Sequence, residues 1–416
     1  MTGADLGPFP LGLPAASGLY LSLYAGTLAL HLVLMSYVLA GSGYVAAASL
    51  LGARERDPAA RALVDWLPFG LGTAITAGVA PLLFVQILYK ESFYTANLLL
   101  FHRWMAIVPV LIAGFYLLYL SKSERAQGWP RLARAGVAGG AFACFLFTAW
   151  SWTGNHLLAL EPDRWAPLYV TSATPAPTVE MLLRLALWAA AAVPWMAAIL
   201  AWQLRAQALR EPGREHDRAV TRVSTVALVS LAATAGLAAL YAGHLDPAGR
   251  EAISGPLAGP YLRALQLGLA VQAAAWLRIR IGRHWSRSAL FFVTAGAVVT
   301  VLGAVVVRES VRLSRIDLGP LAGAHARIAE AGGMAGFFVF LLIASAVITW
   351  CALATRRALH ARASAASTEG SGAGSGAGSG AGSDAGSDAG SDAEGGSDAA
   401  VNDGSASPDA EPTQPL

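Results

Sequence analysis

Charged residues are scarce in this sequence, because Asp, Glu, Lys and Arg make up only 13% of its 416 residues while hydrophobic residues make up 55%. Water-soluble domains usually carry about 25% charged residues, so this composition excludes an ordinary soluble fold. Apolar runs are abundant instead, and a run of about 18 residues is enough to cross roughly 30 Å of hydrocarbon. The sequence therefore predicts an all-α membrane protein, a polytopic bundle of transmembrane helices.

Cysteine is also nearly absent. Cys144 and Cys351 both lie inside apolar runs, and the sequence has no C-x-x-C-H motif or other cysteine-rich motif. This excludes covalent haem attachment through that motif and a metal site built from several cysteines. We expect both cysteines to pack as small apolar residues.

Nine apolar runs are long enough to be transmembrane helices, and the loops between them differ in charge. Lys and Arg concentrate in the loops after spans one, three, five and seven, and basic loops stay in the cytoplasm. This predicts an outside N-terminus and a cytoplasmic C-terminus, and the Ala- and Arg-rich usage suits the inner membrane of a bacterium. The loop after span eight is an exception, because its arginines fall on the outer side. The spans lie near residues 18–41, 66–89, 97–120, 135–157, 179–203, 220–243, 261–278, 287–307 and 332–355.

From residue 363 the sequence becomes a Gly/Ala/Ser repeat with spaced acids, "SGAGSGAGSGAGSDAGSDAGSDAEGGSD". Such a segment has no core-forming residue, so we predict a transmembrane domain over 1–362 and a disordered tail over 363–416. The tail holds nine of the 26 acidic residues and no Lys or Arg, which leaves the membrane domain strongly basic. That excess follows from the basic cytoplasmic loops and does not indicate nucleic-acid binding.

Four histidines inside or at the ends of spans are candidate metal ligands, because ionisable groups are costly in lipid. His31 lies near the middle of span one, while His102, His156 and His244 lie in the outer parts of spans three, four and six. Facing helices of a bundle can present one or two axial nitrogens to haem b. Interfacial or capping roles for His156 and His244, and hydrogen bonds to neighbouring helices for His31 and His102, are the structural alternatives. Solvated positions in loops or the tail are expected for His216, His284, His325 and His360.

Other polar residues of the spans form recognisable sets. Glu180 and Arg184 are four residues apart on one helical face, where they form an internal ion pair or contact a quinone. Arg308 and Arg312 are one turn apart and suit a planar anion, either a haem propionate or a lipid phosphate. Gln86 offers an amide to a quinone carbonyl or to another helix.

Three segments resemble helices of subunit I of the cytochrome bd quinol oxidases. They are "LSLYAGTLALHLVLMSYVLAG", "FGLGTAITAGVAPLLFVQ" and "FHRWMAIVPVLIAGFYLLYLSKSER". The resemblance implies that His31 and His102 ligate haem b, and Arg103 would then stabilise a propionate or raise the haem potential through its charge. The sequence differs from that family in having no G-R-Q-P-W motif and no long external quinol loop, and we expect no pair of buried glutamates for proton delivery.

These observations predict a haem-b-binding subunit of a respiratory complex that passes electrons between membrane quinol and an outer-side acceptor. Cytochrome c or other respiratory subunits, membrane lipid and quinol are the expected partners. The chain would then belong to a quinol oxidase or to another quinol:acceptor oxidoreductase. A haem-free quinone-binding anchor that uses Gln86, Glu180 and Arg184 is the alternative, and a transporter is the third.

Overall fold

The computed structural model describes residues 15–209, 214–330 and 334–372, and every regular element within them is a helix. The all-α prediction is therefore confirmed. The chain divides into two compact units, one up to Met334 and one from Ala335. Beyond Gly372, the predicted tail lies outside the described residues.

The first unit contains the helices that carry all the candidate site residues. These are α1 (Ala15–Leu50), α2 (Pro58–Leu88), α3 (Lys90–Leu99), α4 (Phe101–Met105), α5 (Ile107–Lys122), α6 (Glu124–Gln127), α7 (Arg131–Leu158), α8 (Trp165–Thr171), α9 (Val179–Ala208), α10 (Arg214–His244), α11 (Pro247–Ser254), α12 (Gly259–Gly282), α13 (Arg287–Leu313) and α14 (Leu318–Glu330). The chain then continues into α15 (Met334–Gly372), most of which forms the second unit.

Seven stretches among the described residues are long and apolar enough to cross a membrane, and each coincides with a predicted span. The other two predicted spans fall on α12, which carries three arginines, and on α15, whose apolar part is Ala335–Cys351. The chain is thus a multi-pass membrane protein, while the number of spans and their orientation stay predictions. The seven stretches are Ser17–Leu50, Pro58–Leu88, Phe101–Lys122, Arg131–Leu158, Val179–Ala208, Asp217–His244 and Arg287–Leu313.

The third span is interrupted near its start. The residues before it form α3, and breaks at Leu100 and Ala106 separate α3, α4 and α5. Pro109 explains the second break, because its ring clashes with the carbonyl four residues earlier and it has no N–H to donate. His102 and Arg103 therefore lie on the short helix α4, at the start of the candidate span Phe101–Lys122.

Close packing holds the first unit together. The long helix α1 packs against α2, α7 and α9, and α12 packs along α13. Glycines allow the second contact, because a Cβ atom at Gly268 would lie 2.7 Å from the carbonyl oxygen of Gly296. Such small residues let membrane helices approach at backbone distance, where dispersion contacts are densest.

Each end of this bundle has its own polar contacts. At the end with the arginine-rich loops, Asp57 caps α2, pairs with Arg222 at 2.6 Å and accepts a hydrogen bond from Tyr44 at 2.7 Å. At the opposite end, which the charge pattern predicts to be outside, α2, α7 and α13 finish where α1 and α9 begin. That end carries the candidate site.

Candidate functional site: a buried polar cluster

Ionisable and tyrosine side chains from five helices, and from the residues just after α2 and α13, meet inside the predicted outer end of the bundle. His156, Glu309 and Arg312 are each no more than 6% exposed. Charges buried this deeply are costly unless they are paired and hydrogen-bonded, so a concentration of them marks a candidate functional site. We call this set the polar cluster, and its members are Tyr24, Tyr89, His156, Glu180, Arg184, Tyr241, Arg308, Glu309, Arg312 and Arg315.

His156, near the end of α7, is at the centre of the contacts. Its Nδ1 accepts hydrogen bonds from Nη2 of Arg312 at 2.5 Å and from Nη2 of Arg308 at 3.3 Å. Guanidinium groups only donate, so Nδ1 must be the acceptor and the proton of the neutral ring lies on Nε2. Nε2 has no hydrogen-bond partner among the described residues. The cluster therefore contains a buried N–H donor that is free to bind an oxygen atom.

Glu309 links the two arginines that bind His156 to Tyr89, the residue that follows α2. Its carboxylate accepts a hydrogen bond from the hydroxyl of Tyr89 and lies 3.4 Å from Arg308 and 3.6 Å from Arg312. The guanidinium of Arg312 also lies over the ring of Tyr89, 4.4 Å from its centroid. On the other side, Arg308 donates to the hydroxyl of Tyr24 on α1 at 3.2 Å. One connected network thus joins α1, α7 and α13 to Tyr89, which directly follows α2.

A second group surrounds Glu180 in the first turn of α9. The ion pair expected from its spacing to Arg184 is present at 3.0 Å. Arg315, just after α13, approaches the same carboxylate at 3.0 Å, and the hydroxyl of Tyr241 lies 3.4 Å away. Arg315 also reaches Asp246 at 3.5 Å. One glutamate therefore holds two arginines from different parts of the chain.

The cluster carries an excess of positive charge. Four arginines face only two glutamates inside it, and Asp246 at its margin is half exposed. This explains why the arginines after span eight break the positive-inside pattern, because three of them are paired inside the bundle rather than free in a loop. Glu309 is buried and Glu180 is largely so, and each binds arginines; the expectation that no pair of buried glutamates serves proton delivery stays a prediction.

His31 lies in a different environment, between α1 and α2. Its Nδ1 donates to the carbonyl oxygen of Ala74 at 3.0 Å, which leaves the lone pair of Nε2 available. The absence of a side chain at Gly78 makes room for the ring, because a Cβ atom there would lie 2.8 Å from Cε1 of His31. This is the arrangement in which an imidazole ligates a metal through Nε2.

The other predicted ligands are separate from His31. The side chains of His102 and His244 are exposed, and Arg103 lies over the ring of Trp150 on α7, 4.4 Å from its centroid. Among the described residues no hydrogen bond, ion pair or ring contact joins any of these to His31, and no group of three His, Cys, Asp or Glu residues is placed to hold a metal ion. Gln86 is half-buried in the last turn of α2, one turn before Tyr89.

His325 is not solvated, so that prediction is wrong. Its side chain is fully buried because α14 covers the start of α1 and the end of α2. Nε2 donates to the carbonyl oxygen of Leu88 at 3.0 Å, and Nδ1 accepts from the hydroxyl of Ser17 at 2.7 Å. Both ring nitrogens are satisfied, which indicates a structural role for this histidine.

Comparison with known proteins gives one finding at the level of the fold. No family model and no curated protein matches the sequence. Among solved structures, a chain of the bd oxidase from Geobacillus thermodenitrificans is similar, with a TM-score of 0.54 over 80% of this chain and 97% of that one. This protein has a bd-oxidase-like fold. The identity is only 11%, so the likeness confirms the predicted resemblance for the fold and does not extend to the site residues.

Proposed function

We propose that this chain is a membrane subunit of a quinol-linked respiratory electron-transfer complex and that the polar cluster binds the quinone headgroup. The observation that carries the proposal is the buried Nε2–H of His156, which has no partner among the described residues. A quinone carbonyl or quinol oxygen is an acceptor that suits this donor, and leaving it unpaired costs about 1–3 kcal/mol. The bd-oxidase-like fold supports the respiratory class.

The surrounding residues suit a headgroup on which negative charge develops. A quinol that is oxidised loses two protons and two electrons, and its oxygens become anionic as the protons leave. Arg308 and Arg312 fix the ring of His156 from the Nδ1 side, and their positive charge across the ring favours negative charge on an oxygen bound at Nε2. Preorganised donors of this kind stabilise developing charge without having to reorient. Water at the exposed rim of the cluster would accept the two protons, and a one-electron acceptor of the complex, such as a haem b, would take up the two electrons one at a time.

Further residues of the cluster position this centre. Glu180 holds Arg184 and Arg315 and keeps their charge next to the headgroup. Gln86, one turn before Tyr89 on α2, offers its amide to the second oxygen of the headgroup. Arg308 and Arg315 are 18% and 17% exposed at their side chains, so they form the rim through which the headgroup enters.

Quinone binding to the purified full-length chain tests the proposal. We expect a short-chain quinone to quench tryptophan fluorescence in a saturable way, because Trp152 lies one helical turn before His156 on α7. His156→Leu should weaken binding about tenfold, the value of one lost hydrogen bond of about 1.4 kcal/mol. His244→Gln changes an exposed histidine and is the matched control. If both variants bind the quinone with the same affinity as the wild type, the polar cluster is not the quinone site.

Haem b at His31 is the second candidate, because its Nδ1–H is held by Ala74 and its Nε2 is free. Of the other proposed ligands, His156 does not fit, since the nitrogen that is not bonded to arginine carries the proton. His102 and His244 are exposed and would bind only a haem at the surface of the chain. A bound haem would supply one-electron redox chemistry.

A reduced-minus-oxidised difference spectrum tests the haem independently of quinone binding. A b-type α band that is lost in His31→Ala and kept in His244→Ala supports His31 as the ligand. A band that survives His31→Ala excludes it. A folded wild-type protein without any band would leave the haem-free quinone-binding subunit as the function.

A further inference from the structure

A second basic feature lies at the opposite end of the bundle from the polar cluster. A groove of about 360 Å³ opens there between the start of α10 and the end of α12. It lies in the first turns of the candidate span Asp217–His244. The ends of a span are the part of a helix that meets the lipid headgroups. Its lining residues are Arg218, Thr221, Arg222, Thr225, Val226 and Arg283.

The charges of this groove are only partly neutralised. Arg222 pairs with the buried Asp57 at 2.6 Å. Arg218 and Arg283 have no acidic partner among the described residues, although Asp217 lies next to Arg218 on α10 outside the lining. A further cation lies beside the groove, because Nε of Arg280 donates to the hydroxyl of Thr225 at 3.0 Å. The groove therefore keeps a net positive charge.

Hydrogen-bond capacity is also left over in the groove. The hydroxyl oxygen of Thr221 is buried and has no partner among the described residues. One turn further into the span, Val226 supplies an apolar wall. Along α10 the groove thus passes from arginines and a free hydroxyl to an apolar wall. A ligand that fits it has an anionic head toward the end of the bundle and an apolar chain directed into the membrane.

We propose that this groove binds the phosphate of an anionic phospholipid. Arg218 and Arg283 bind the phosphate oxygens, since the guanidinium group matches phosphate geometry with paired donors. Thr221 donates its hydroxyl to the same group, and an acyl chain follows Val226 along α10. Basic pockets between membrane helices on the cytoplasmic side bind anionic headgroups for these reasons. The site is independent of the quinone site, which lies at the other end of the bundle.

Lipid retention by the full-length protein tests this inference. The protein is placed in nanodiscs of phosphatidylcholine with or without phosphatidylglycerol, and the lipid that stays bound is identified by native mass spectrometry. We expect phosphatidylglycerol to be retained at least about tenfold over phosphatidylcholine by the wild type. Arg218→Gln/Arg283→Gln should lose this preference. Arg125→Gln/Arg131→Gln removes the same charge from exposed positions at the same end of the bundle and should keep it.

Other outcomes would overturn the inference. An equal loss in both double variants would mean that diffuse positive charge attracts the lipid. Stabilisation of the wild type by inorganic phosphate in pure phosphatidylcholine, without preferential retention of phosphatidylglycerol, would assign the groove to free phosphate. If the first double variant melts at a lower temperature than the wild type, Thr221→Val is compared instead, and unchanged retention in that variant would count against the site.

Discussion

Removing the charge of Glu309 is a direct test of the polar cluster. Glu309→Gln keeps the size of the side chain and its hydrogen bond from Tyr89, but it removes the negative charge beside Arg308 and Arg312. Arg312 is 6% exposed and cannot recover its hydration without opening the bundle. Breaking a buried ion pair by removing one partner costs about 3–5 kcal/mol, because the other charge stays buried and unpaired.

The measurement is the apparent melting temperature of the purified protein in detergent. We expect a fall of roughly 5–10 °C for Glu309→Gln, since 1 kcal/mol corresponds to a few degrees or less in a chain of this size. Glu161→Gln is the matched control. Glu161 pairs with Arg164 at 2.5 Å, but both side chains are more than a third exposed, and such pairs contribute about 0–1 kcal/mol.

A double variant distinguishes the ion pair from a general loss of packing. If Arg312 is destabilising only when its partner is missing, Glu309→Gln/Arg312→Met should cost at least about 1 kcal/mol less than the sum of the single variants. Strict additivity would refute the coupling between these two residues. A melting temperature of Glu309→Gln equal to that of Glu161→Gln would refute the burial argument itself.

Three further predictions concern other parts of the first unit. Burial lowers the pKa of His325, so the unfolded chain binds a proton more readily than the folded chain, and stability is lost as the pH falls below about 6.5. The melting temperature of the wild type should therefore fall between pH 8 and pH 5.5, and that of His325→Gln should fall less. Gly78→Leu should displace the ring of His31 from Ala74 and lower stability by about 1–3 kcal/mol, together with any haem band that depends on His31. Gly268→Leu should separate α12 from α13 and lower the melting temperature, whereas Gly26→Leu, whose Cβ meets nothing within 4 Å, should change it by less than about a degree. A pH-independent wild type, or equal effects of the last two variants, would contradict these accounts.

Much of the fold could be predicted from the sequence, because its signals are local. Hydropathy identified each of the seven stretches that the structure shows to be long and apolar enough to span, and the spacing of Glu180 and Arg184 predicted their ion pair. The interruption of the third span was missed, although Pro109 was a local signal for it. Tyr89 was missed because one tyrosine at a span boundary carries no pattern.

The direction in which each polar side chain points could not be predicted from the sequence. The interior of a membrane bundle and the surrounding lipid are both apolar, so hydropathy does not distinguish a residue that faces the core from one that faces lipid. The structural alternatives from the sequence were an interfacial or capping role for His156 and a contact with a neighbouring helix for His102, yet His102 is exposed and His156 is buried between two arginines. His325 looked like a loop residue, but it lies on α14, a helix that the sequence did not predict, and is buried against the ends of α1 and α2.

By itself the sequence determined that this protein lies in a membrane, that it is helical and where its long helices lie, because composition and the length of apolar runs are local properties of the chain. Only the tertiary structure decided the polar cluster, since its members come from positions 24 to 315 and meet only when five helices and the ends of α2 and α13 pack together. The tertiary structure also decided the chemistry of each histidine. Whether Nδ1 faces a carbonyl, as in His31, or a guanidinium, as in His156, determines which ring nitrogen carries the proton and what that ring can bind.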